Sequence, residues 1–545
     1  MGATTTGSNN TAVGGSALAA NTTGGNNTAL GYFALTSNTT ASGNTAIGKA
    51  ALYANTSGAS NTAVGYNALD ANTTSDRNTA VGYDAMGANT TGNYNTAIGA
   101  YVLDANTTGD NNVAVGDAAL SANTTGSQNT AVGRYALFTC DTGHENVAIG
   151  YEAMKDCTTA DYCTAVGEEC MSNITTGTRN TAVGNGVLNS ITTGSYNVAM
   201  GNGALQSYTG DGNVAIGYDA MTNCSTGGSN TAVGYQAGEQ ITTGSENTVM
   251  GIVAGDEITT GIQNTAIGSD ALGANQTGDY NTAVGKGALQ VYTGAQNTAF
   301  GRSALGSVTG SSGCTAVGYN AIQLGTGVNN TAVGHGALDA CTTGYSNTAI
   351  GKDALGSMTT NIENTAIGAG CLSAVTTGGY NVALGKDAGN NVTTGRFSVN
   401  LGTYAKPSAA GTDNEIIIGY AAIGKGGDTA FISPNGGAVY AGNNSANFAT
   451  TSDRRIKKNI VDNTTGLDKI NQIRVRNFEY RTEDEIVDFD NPSSAVVKKE
   501  GVQLGVIAQE IQNILPDVVK TESTGVMRVD ASNLTWYLVN AVKEL

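Results

Sequence analysis

The chain repeats one pattern of apolar and polar positions at a near-constant interval. The consensus is N-T-A-V-G-x-x-A-L-x-x-N-T-T-G-x-x, and its positions are numbered here from 1, the Asn of N-T-A-V-G, to 17. The interval shortens by one residue at three markers, and degenerate copies close the series. The markers include Asn10, Asn27, Asn44, Asn61, Asn78, Asn95, Asn112, Asn129, Asn146, Cys163, Asn180, Asn197, the three shortened steps at Asn213, Asn297 and Asn330, and then Ser398 and Asn414. Such a repeat decides the fold class before any single residue does.

One repeat predicts one short strand and its turns. In T-A-V-G and its variants, the residues at repeat positions 2 and 4 share one strand face, and the Ala and Gly at positions 3 and 5 share the other. Gly at position 5 and T-T-G at positions 13 to 15 supply turns, and x-x-A-L-x-x is long enough for one helical turn. We therefore predict an all-β parallel β-solenoid, or β-roll, in which positions 1 to 17 make one coil and coils lie about 4.8 Å apart. Roughly 25 coils would reach on the order of 120 Å, and no Pro interrupts the ladder before Pro407.

The predicted core of one coil is thin. We count Val, Ile or Leu at position 4, Leu or Met at position 9, and two Ala. Because so thin a core gives little stability, we expect several solenoids to associate laterally through the Ala/Gly face. E-N-V-A-I-G-Y-E-A (residues 145–153) and G-N-V-A-I-G-Y-D-A (residues 212–220) resemble the repeat of YadA-type trimeric adhesin heads. That resemblance implies a left-handed, trimeric β-roll, although the longer period here predicts a different cross-section. The consensus is also similar to repeats of phage tail-fibre-like proteins.

The repeat ends near residue 420 and the pattern changes. We divide the chain into a solenoid at 1–419, a β-rich neck at 420–451 and a small α+β domain at 452–545. In the last part, Leu467, Ile470 and Ile473 predict a short helix, and residues 475–481 alternate like a strand. A second helix is predicted from residues 507 to 515, ended by Pro516, and a third from residue 534, with Ser532 or Asn533 as its N-cap.

Charge and composition exclude several classes of function. The chain has 545 residues, 77 Gly and only 12% charged residues, which is unlike an ordinary enzyme. Residues 1–451 carry a net charge of −16 and residues 452–545 a net charge of −2, which argues against nucleic-acid binding. There is no apolar run long enough for membrane insertion, and no signal peptide. Because the chain begins and ends in mid-pattern, we expect it to be a fragment.

The side chains with reactive groups fall at repeat positions rather than in clusters. The eight cysteines replace consensus Asn or Ala, so we predict small inward-pointing substitutes; the equivalent Cys140 and Cys157 lie in adjacent coils at a distance that permits a disulfide. His144 and His335 lack ligand partners, so neither a metal nor a cofactor is expected. Tyrosines at position 6 form a stripe that packs between coils or stacks on sugar rings. No fixed carboxylate pair of the glycosidase kind occurs.

Three ordered motifs mark the C-terminal part. They are S-D-R-R-I-K-K-N-I (452–460), L-G-V-I-A-Q-E-I-Q-N-I-L-P-D-V-V (504–519) and V-D-A-S-N-L-T-W-Y-L-V-N-A-V-K-E-L (529–545). Together they resemble the peptidase S74 family, the intramolecular chaperones of phage endosialidases and tail fibres. The resemblance implies that this domain drives trimerisation of the preceding fibre and then cuts itself off. It implies Ser452 as nucleophile, Lys457 as the base, and Ser452–Asp453 as the cleaved bond. The sequence does not decide which side of Ser452 is cut. It also does not exclude that Lys457 is an ordinary surface lysine.

These observations favour a structural protein. The leading hypothesis is a homotrimeric tail fibre or spike of a virion, or otherwise extracellular, that attaches to a host-surface receptor or glycan. A surface-glycan depolymerase and a bacterial surface adhesin are the alternatives. An ice-binding solenoid, suggested by the repeated Thr, is the fourth. Autoproteolysis is the only enzymatic activity expected.

Overall fold

A computed structural model describes residues 6–433, 439–441, 454, 457–486, 497, 499–521 and 525–545. It has two compact units, Met1–Thr450 and Thr451–Leu545. The first is a parallel β-solenoid of about 25 coils, and the second is a small α+β unit. The predicted fold class is therefore confirmed.

Each coil of the solenoid contributes one short strand to a single 27-stranded sheet. Neighbouring strands are parallel and pair in register, so that Thr62 lies opposite Thr79 and Ala63 opposite Ala80. The strands of this unit are β1 (Thr11–Val13), β2 (Thr28–Leu30), β3 (Thr45–Ile47), β4 (Thr62–Val64), β5 (Thr79–Val81), β6 (Thr96–Ile98), β7 (Val113–Val115), β8 (Thr130–Val132), β9 (Val147–Ile149), β10 (Thr164–Val166), β11 (Thr181–Val183), β12 (Val198–Met200), β13 (Val214–Ile216), β14 (Thr231–Val233), β15 (Thr248–Met250), β16 (Thr265–Ile267), β17 (Thr282–Val284), β18 (Thr298–Phe300), β19 (Ser307–Val308), β20 (Thr315–Val317), β21 (Leu324–Gly325), β22 (Thr331–Val333), β23 (Thr348–Ile350), β24 (Thr365–Ile367), β25 (Val382–Leu384), β26 (Val399–Leu401), β27 (Glu415–Ile418), β28 (Thr429–Ile432) and β29 (Val439–Ala441).

Two pairings depart from the main ladder. β19 and β21 form a separate two-stranded sheet, and β28 turns back to pair with β29 in the antiparallel sense. Strands β28 and β29 both fall within the predicted neck, whose boundaries at residues 420 and 451 remain a prediction.

The strand faces are the reverse of those assumed for the core. Ala97 at position 3 is fully buried, whereas Ile98 at position 4 is 41% exposed. Alternation along the strand places Asn, Ala and Gly of positions 1, 3 and 5 inside, and leaves positions 2 and 4 outside. The prediction that position 4 fills the core is therefore wrong. The Ala/Gly face lies within each coil, so lateral association through that face is also excluded.

The x-x-A-L-x-x segment is a double turn rather than a helical turn. Positions 7 and 9 both take left-handed backbone conformations, as Asp84 (φ 55°) and Met86 (φ 56°) do. The two reversals bring Ala85 and Met86 together into the interior, where both are fully buried. A right-handed turn would carry one of them to the surface, which explains why the helical prediction is wrong.

Glycine is required at position 5 and position 15 for different reasons. Gly82 at position 5 has φ 146°, and a Cβ there would overlap the carbonyl oxygen of Gly99 in the next coil. Gly92 at position 15 does not have a left-handed φ, but a Cβ would overlap the carbonyl oxygen of Gly109. The first glycine is needed for its backbone conformation and for space, and the second for space alone.

Buried asparagines hold successive coils together. At position 1, Asn61 Oδ1 accepts from the backbone N–H of Asn78 at 2.9 Å, and Asn61 Nδ2 donates to the carbonyl of Ser75 at 2.8 Å. At position 12, Asn38 Nδ2 donates to Asn21 Oδ1 at 3.0 Å. These amides satisfy backbone groups that a purely apolar interior would leave unpaired.

The strand pairings confirm the three shortened coils and correct the last marker. Val198 pairs with Val214, one residue short of the regular interval, as the sequence indicates. In this coil Tyr208 replaces the Asn of position 12 and is fully buried, so a large ring fills the interior beside the shorter turn. At the other end, Val399 pairs with Ile416, so position 1 is Glu415 and not Asn414. Asn414 instead has the left-handed φ of position 17.

Within its described residues, the C-terminal unit has three α-helices and two small antiparallel strand pairs. Its α-helices are α1 (Leu467–Ile470), α2 (Ala508–Ile514) and α3 (Ala531–Glu544); its strands are β30 (Arg476–Phe478), β31 (Gln503–Gly505), β32 (Val519–Thr521) and β33 (Met527–Val529), with 3-10 turns at Glu483–Glu485 and Pro516–Val518. Asp530, rather than Ser532 or Asn533, caps α3: its carboxylate accepts from both of their backbone N–H groups. Asp530 is preferred because its charged oxygen reaches two amides of the first turn.

Candidate functional site

The candidate self-cleavage site begins at the N-terminal edge of the second unit. Of its predicted residues, Ser452 and Asp453 lie outside the described residues. Lys457 is described: its side chain is exposed, and its backbone N–H donates to the carbonyl of Arg454 at 3.2 Å. The distance between the Ser452 hydroxyl and the Lys457 amine therefore remains a prediction.

The last helix, α3, holds the chain that follows Lys457. Asn540 Nδ2 donates to the carbonyls of Asn463 and Thr465, at 2.7 and 3.2 Å. Glu544 Oε2 accepts from the backbone N–H of Leu467 at 2.6 Å. The segment that leads away from the candidate site is thus fastened to a helix at the far end of the unit's sequence.

The interior of this unit is small. Its buried cluster consists of Ile511, Leu515, Val518 and Tyr537. The Tyr537 hydroxyl donates to Asp517 Oδ2 at 2.5 Å, and this hydrogen bond raises the pKa of Tyr537. Among the described residues, most other apolar side chains of the unit are only partly buried, so this core is small.

The outer side of α3 is apolar and exposed. Trp536 is 68% exposed and Val542 is 70% exposed, and they continue toward Val539 on the same helix. Trp536 also borders a shallow pocket with Asn463 and Asn540. Large apolar side chains on one helix side, next to the segment that follows Lys457, form a surface suited to contact with another polypeptide.

The cysteines occupy interior positions, as predicted. All eight are buried and free. Cys157 Sγ donates to Cys140 Sγ at 2.9 Å, and this contact together with burial raises the pKa of Cys157. Burial likewise raises the pKa of Cys170 and Cys371 to about 12. Because the thiolate is the reactive form, such thiols are inert in the folded solenoid.

The position-6 tyrosines make the predicted stripe and stack along it. Tyr66 and Tyr83 stack with ring centroids 5.2 Å apart, and Tyr218 and Tyr235 do so at 5.5 Å. Tyr83 remains 48% exposed. The rings therefore pack between coils and still offer a face to solvent, so both interpretations of the stripe remain available.

Carboxylates of adjacent coils approach each other at positions 10 and 7. Burial, followed by the charge of Asp84, raises the pKa of Asp70. Burial and neighbouring acids raise the pKa of Asp256 to about 6. In the part of the chain that the structure describes, no group of three or more His, Cys, Asp or Glu could hold a metal ion. No described helix combines the length and apolar character needed to span a bilayer.

Comparison with known proteins agrees with the architecture. The molecule is a β-solenoid followed by a small C-terminal unit, and the model of the peptidase S74 family, described as chaperone of endosialidase, matches residues 452–520. No curated protein and no solved structure matches the chain. The match begins at Ser452 and stops before α3. A β-solenoid joined to such a region suggests a tailspike-like or fibre-like protein.

Two features of the site were missed by sequence reasoning. The anchoring contacts of Asn540 and Glu544 join residues far apart in the chain, and no local pattern points to them. The exposed side of α3 was missed because the helix was predicted from the periodic apolar positions that begin at Leu534, and Trp536, Val539 and Val542 fall outside that pattern. A helical-wheel comparison with the buried Tyr537 and Ala541 could have separated the two sides.

Proposed function

We propose that the protein is a fibre or spike of a virion that attaches to a host surface, and that its C-terminal unit assembles it as a homotrimer. The observation that carries the proposal is the S74 match at residues 452–520, directly after a 27-stranded solenoid. The exposed apolar side of α3 supports it, because such a surface is expected where three chaperone units meet. The stacked, half-exposed tyrosines supply rings of the kind that contact glycans.

We further propose that the unit removes itself after assembly. Ser452 supplies the hydroxyl nucleophile, and the amine of Lys457, in its neutral form, accepts the hydroxyl proton. The net reaction consumes one water, leaves a carboxylate on Ser452 and gives Asp453 a new amino group. Release removes the chaperone from the refolding route, so the finished trimer unfolds slowly.

Two lysines side by side allow a matched test of self-cleavage. We expect wild-type protein to yield a fragment ending at Ser452, and Ser452→Ala and Lys457→Met to stay full length while still forming SDS-resistant trimers. Lys458→Met should cleave like the wild type, because it removes the same charge one residue away. Intact mass spectrometry reads all four proteins.

The same spectra decide the side of the cut. A released fragment that starts at Asp453 identifies the Ser452–Asp453 bond, and one that starts at Ser452 moves the cut to the preceding bond. An uncut wild type that nevertheless forms trimers would remove the cleavage step and leave the assembly step. A cleaved Lys457→Met would remove Lys457 from the mechanism.

A further inference from the structure

The outward strand surface of the solenoid carries no charge anywhere along its length. We define the outer face as positions 2 and 4 of the 24 coils from Thr11 to Leu401. Position 2 is always Thr or Val, and position 4 is always Val, Ile, Leu, Met or Phe. None of the position-4 side chains is buried. The most exposed are Val13 at 56%, Phe300 at 56%, Leu384 at 49%, Leu30 at 46%, Met250 at 44%, Ile98 and Met200 at 41%, and Ile149 at 40%.

Water contact alone does not explain this composition. A solvated strand face accepts Lys, Glu and other polar residues without loss, and the other surface positions of the same coils contain them. Twenty-four strands of three residues, about 4.8 Å apart and about 3.3 Å per residue, present roughly 1,100 Å². A typical stable interface buries about 800 Å² on each partner. The outer face is thus large enough to hold another macromolecule by itself.

We propose that the outer face is the surface through which copies of this chain pack side by side, in parallel, in the finished fibre. This rests on the proposed homotrimer and names the face that three solenoids would share. It replaces the Ala/Gly face, which is inside the coil. A second copy fits because its own ladder has the same spacing, so apolar rows of one solenoid align with those of the next.

The two edges of the outer face carry opposite charge. Position 6, just after each strand, has six cations and two acids. Positions 16 and 17, just before it, have three cations and nine acids. The position-6 residues are Lys49, Arg134, Lys286, Arg302, Lys352 and Lys386, with Asp117 and Glu168. The residues at positions 16 and 17 are Asp76, Asp110, Asp161, Asp211, Asp279, Asp413, Glu145, Glu246 and Glu363, with Arg77, Arg179 and Arg396.

This asymmetry favours a parallel arrangement. When solenoids pack around an axis that runs along them, the position-6 edge of one meets the position-16 edge of the next. An edge with an excess of cations then faces an edge with an excess of acids. An antiparallel pair, related by an axis along the strands, would bring each edge against its own kind.

Hydrogen bonding within one chain explains only part of the charge pattern. The acids of position 16 cap the preceding coil, as Asp161 does by accepting from the backbone N–H of His144 at 2.7 Å. Serine serves the same purpose, as Ser245 does for Gly228. The position-6 cations also have partners within the chain: Arg134 lies 3.5 Å from Asp117, and Lys49 and Arg302 lie over the rings of tyrosines in the next coil. These are surface contacts, and the side chains of Arg134 and Lys352 remain 56% and 67% exposed. Half of the twelve Lys and Arg of residues 1–451 occupy this single position.

Cross-linking tests both the face and the direction. Ile149→Cys places a thiol on the outer face, and Thr159→Cys places one at position 14 of the same coil; the native cysteines are buried. With a short bis-maleimide we expect Ile149→Cys to give at least about tenfold more cross-linked oligomer than Thr159→Cys. In a fully overlapped antiparallel pair the two Ile149 positions would lie roughly 30 Å apart. Absence of the cross-link in a trimeric protein would overturn the proposal.

Charge placement gives an independent readout. Glutamate at Val115, Val132, Ile149 and Val166 together should lower the trimer fraction at least tenfold, by mass in solution, since like charges would meet in the interface. Glutamate at Thr125, Thr142, Thr159 and Thr176 adds the same charge at position 14 and should leave the trimer intact. Threonine at the first four positions keeps side-chain shape and should fold normally, with β-sheet circular dichroism as the check, yet also weaken the trimer.

The outcomes separate this inference from the proposed function. Trimers that survive glutamate on the outer face would reject the interface while leaving chaperone-driven assembly standing. A monomeric wild-type protein would reject the proposed function and this inference together. A monomer that also inhibits ice recrystallisation would assign the outer face to ice.

Discussion

The solenoid and the C-terminal unit satisfy their side chains in opposite ways. In the solenoid, each coil pairs buried amides with backbone groups of its own and of the next coil, as Asn61 does with Ser75 and Asn78. Among the described residues of the C-terminal unit, the buried cluster consists of Ile511, Leu515, Val518 and Tyr537, and partly buried apolar side chains pack against it. The solenoid therefore completes its interior with neighbours within the chain, whereas the C-terminal unit has a small buried cluster and leaves one apolar side of α3 exposed.

This difference fits the proposed division of labour. A repeat with nearest-neighbour contacts is stable once formed, but it has no single step that selects the number of chains. In our proposal, the exposed apolar side of α3 supplies that selection. In this proposal, the unit is discarded once the solenoid has formed.

The largest effect is expected from a substitution on the exposed side of α3. Trp536→Lys, made together with Ser452→Ala so that the unit stays attached, should abolish the trimer. It should alter unfolding of the isolated C-terminal fold by less than about 1 kcal/mol, because the indole is 68% exposed. Analytical ultracentrifugation measures the first effect and chemical denaturation the second.

The matched control for Trp536 is Gln512→Lys, an exposed residue of α2 that gains the same charge. We expect that variant to remain trimeric. If both variants assembled equally well, α3 would not be the contact surface, and the proposed role of the C-terminal unit in assembly through α3 would be rejected.

Substitution of a glycine in the strand ladder tests how tightly the coils of the solenoid stack. Gly150 has φ 140°, and a Cβ there would overlap the carbonyl oxygen of Gly167. Gly150→Val should therefore cost roughly 3 kcal/mol or more in unfolding free energy. Gly228→Ser is the control: it adds the residue that other coils carry at position 16, and should change stability by less than about 0.5 kcal/mol. Equal effects would contradict a tightly stacked ladder.

The parts of the fold that could be predicted were those with a period. The regular interval between markers indicated the coil, its parallel pairing and the shortened steps, because each repeats many times. The strand faces were assigned wrongly, since alternation is ambiguous until one residue is known to be inside. Asn at position 1 could have settled this: an amide placed at every coil favours a buried ladder of hydrogen bonds. Position 4 must then point outward.

The candidate site was predictable only as far as local sequence reaches. The spacing of Ser452 and Lys457 could be matched to a family pattern, because both lie in one short motif. The anchoring of the following segment by Asn540 and Glu544 could not, because it depends on tertiary contacts. The predicted N-cap of α3 was wrong by a few residues. Asp530, Ser532 and Asn533 are all residue types that cap helices well, and the burial pattern does not rank the three.

The smallest expected effect is the pH dependence of stability that comes from a half-buried carboxylate, Asp256, in the solenoid. Burial, then the charges of Glu257, Asp270 and Glu239, raises the pKa of Asp256 from 3.8 to about 6. The folded state therefore holds this proton more tightly than the unfolded state, so stability should fall as pH rises from about 4 to 6 and then level off. Asp256→Asn should make that slope shallower, since the pKa of Asp70 is raised as well, and should add of order 1 kcal/mol or less at pH 7. Asp117→Asn, at a half-exposed carboxylate, should leave the slope in place; thermal unfolding across this pH range decides. A slope unchanged by Asp256→Asn would show that neighbouring coils relieve the repulsion, which the rigid pairing of the ladder argues against.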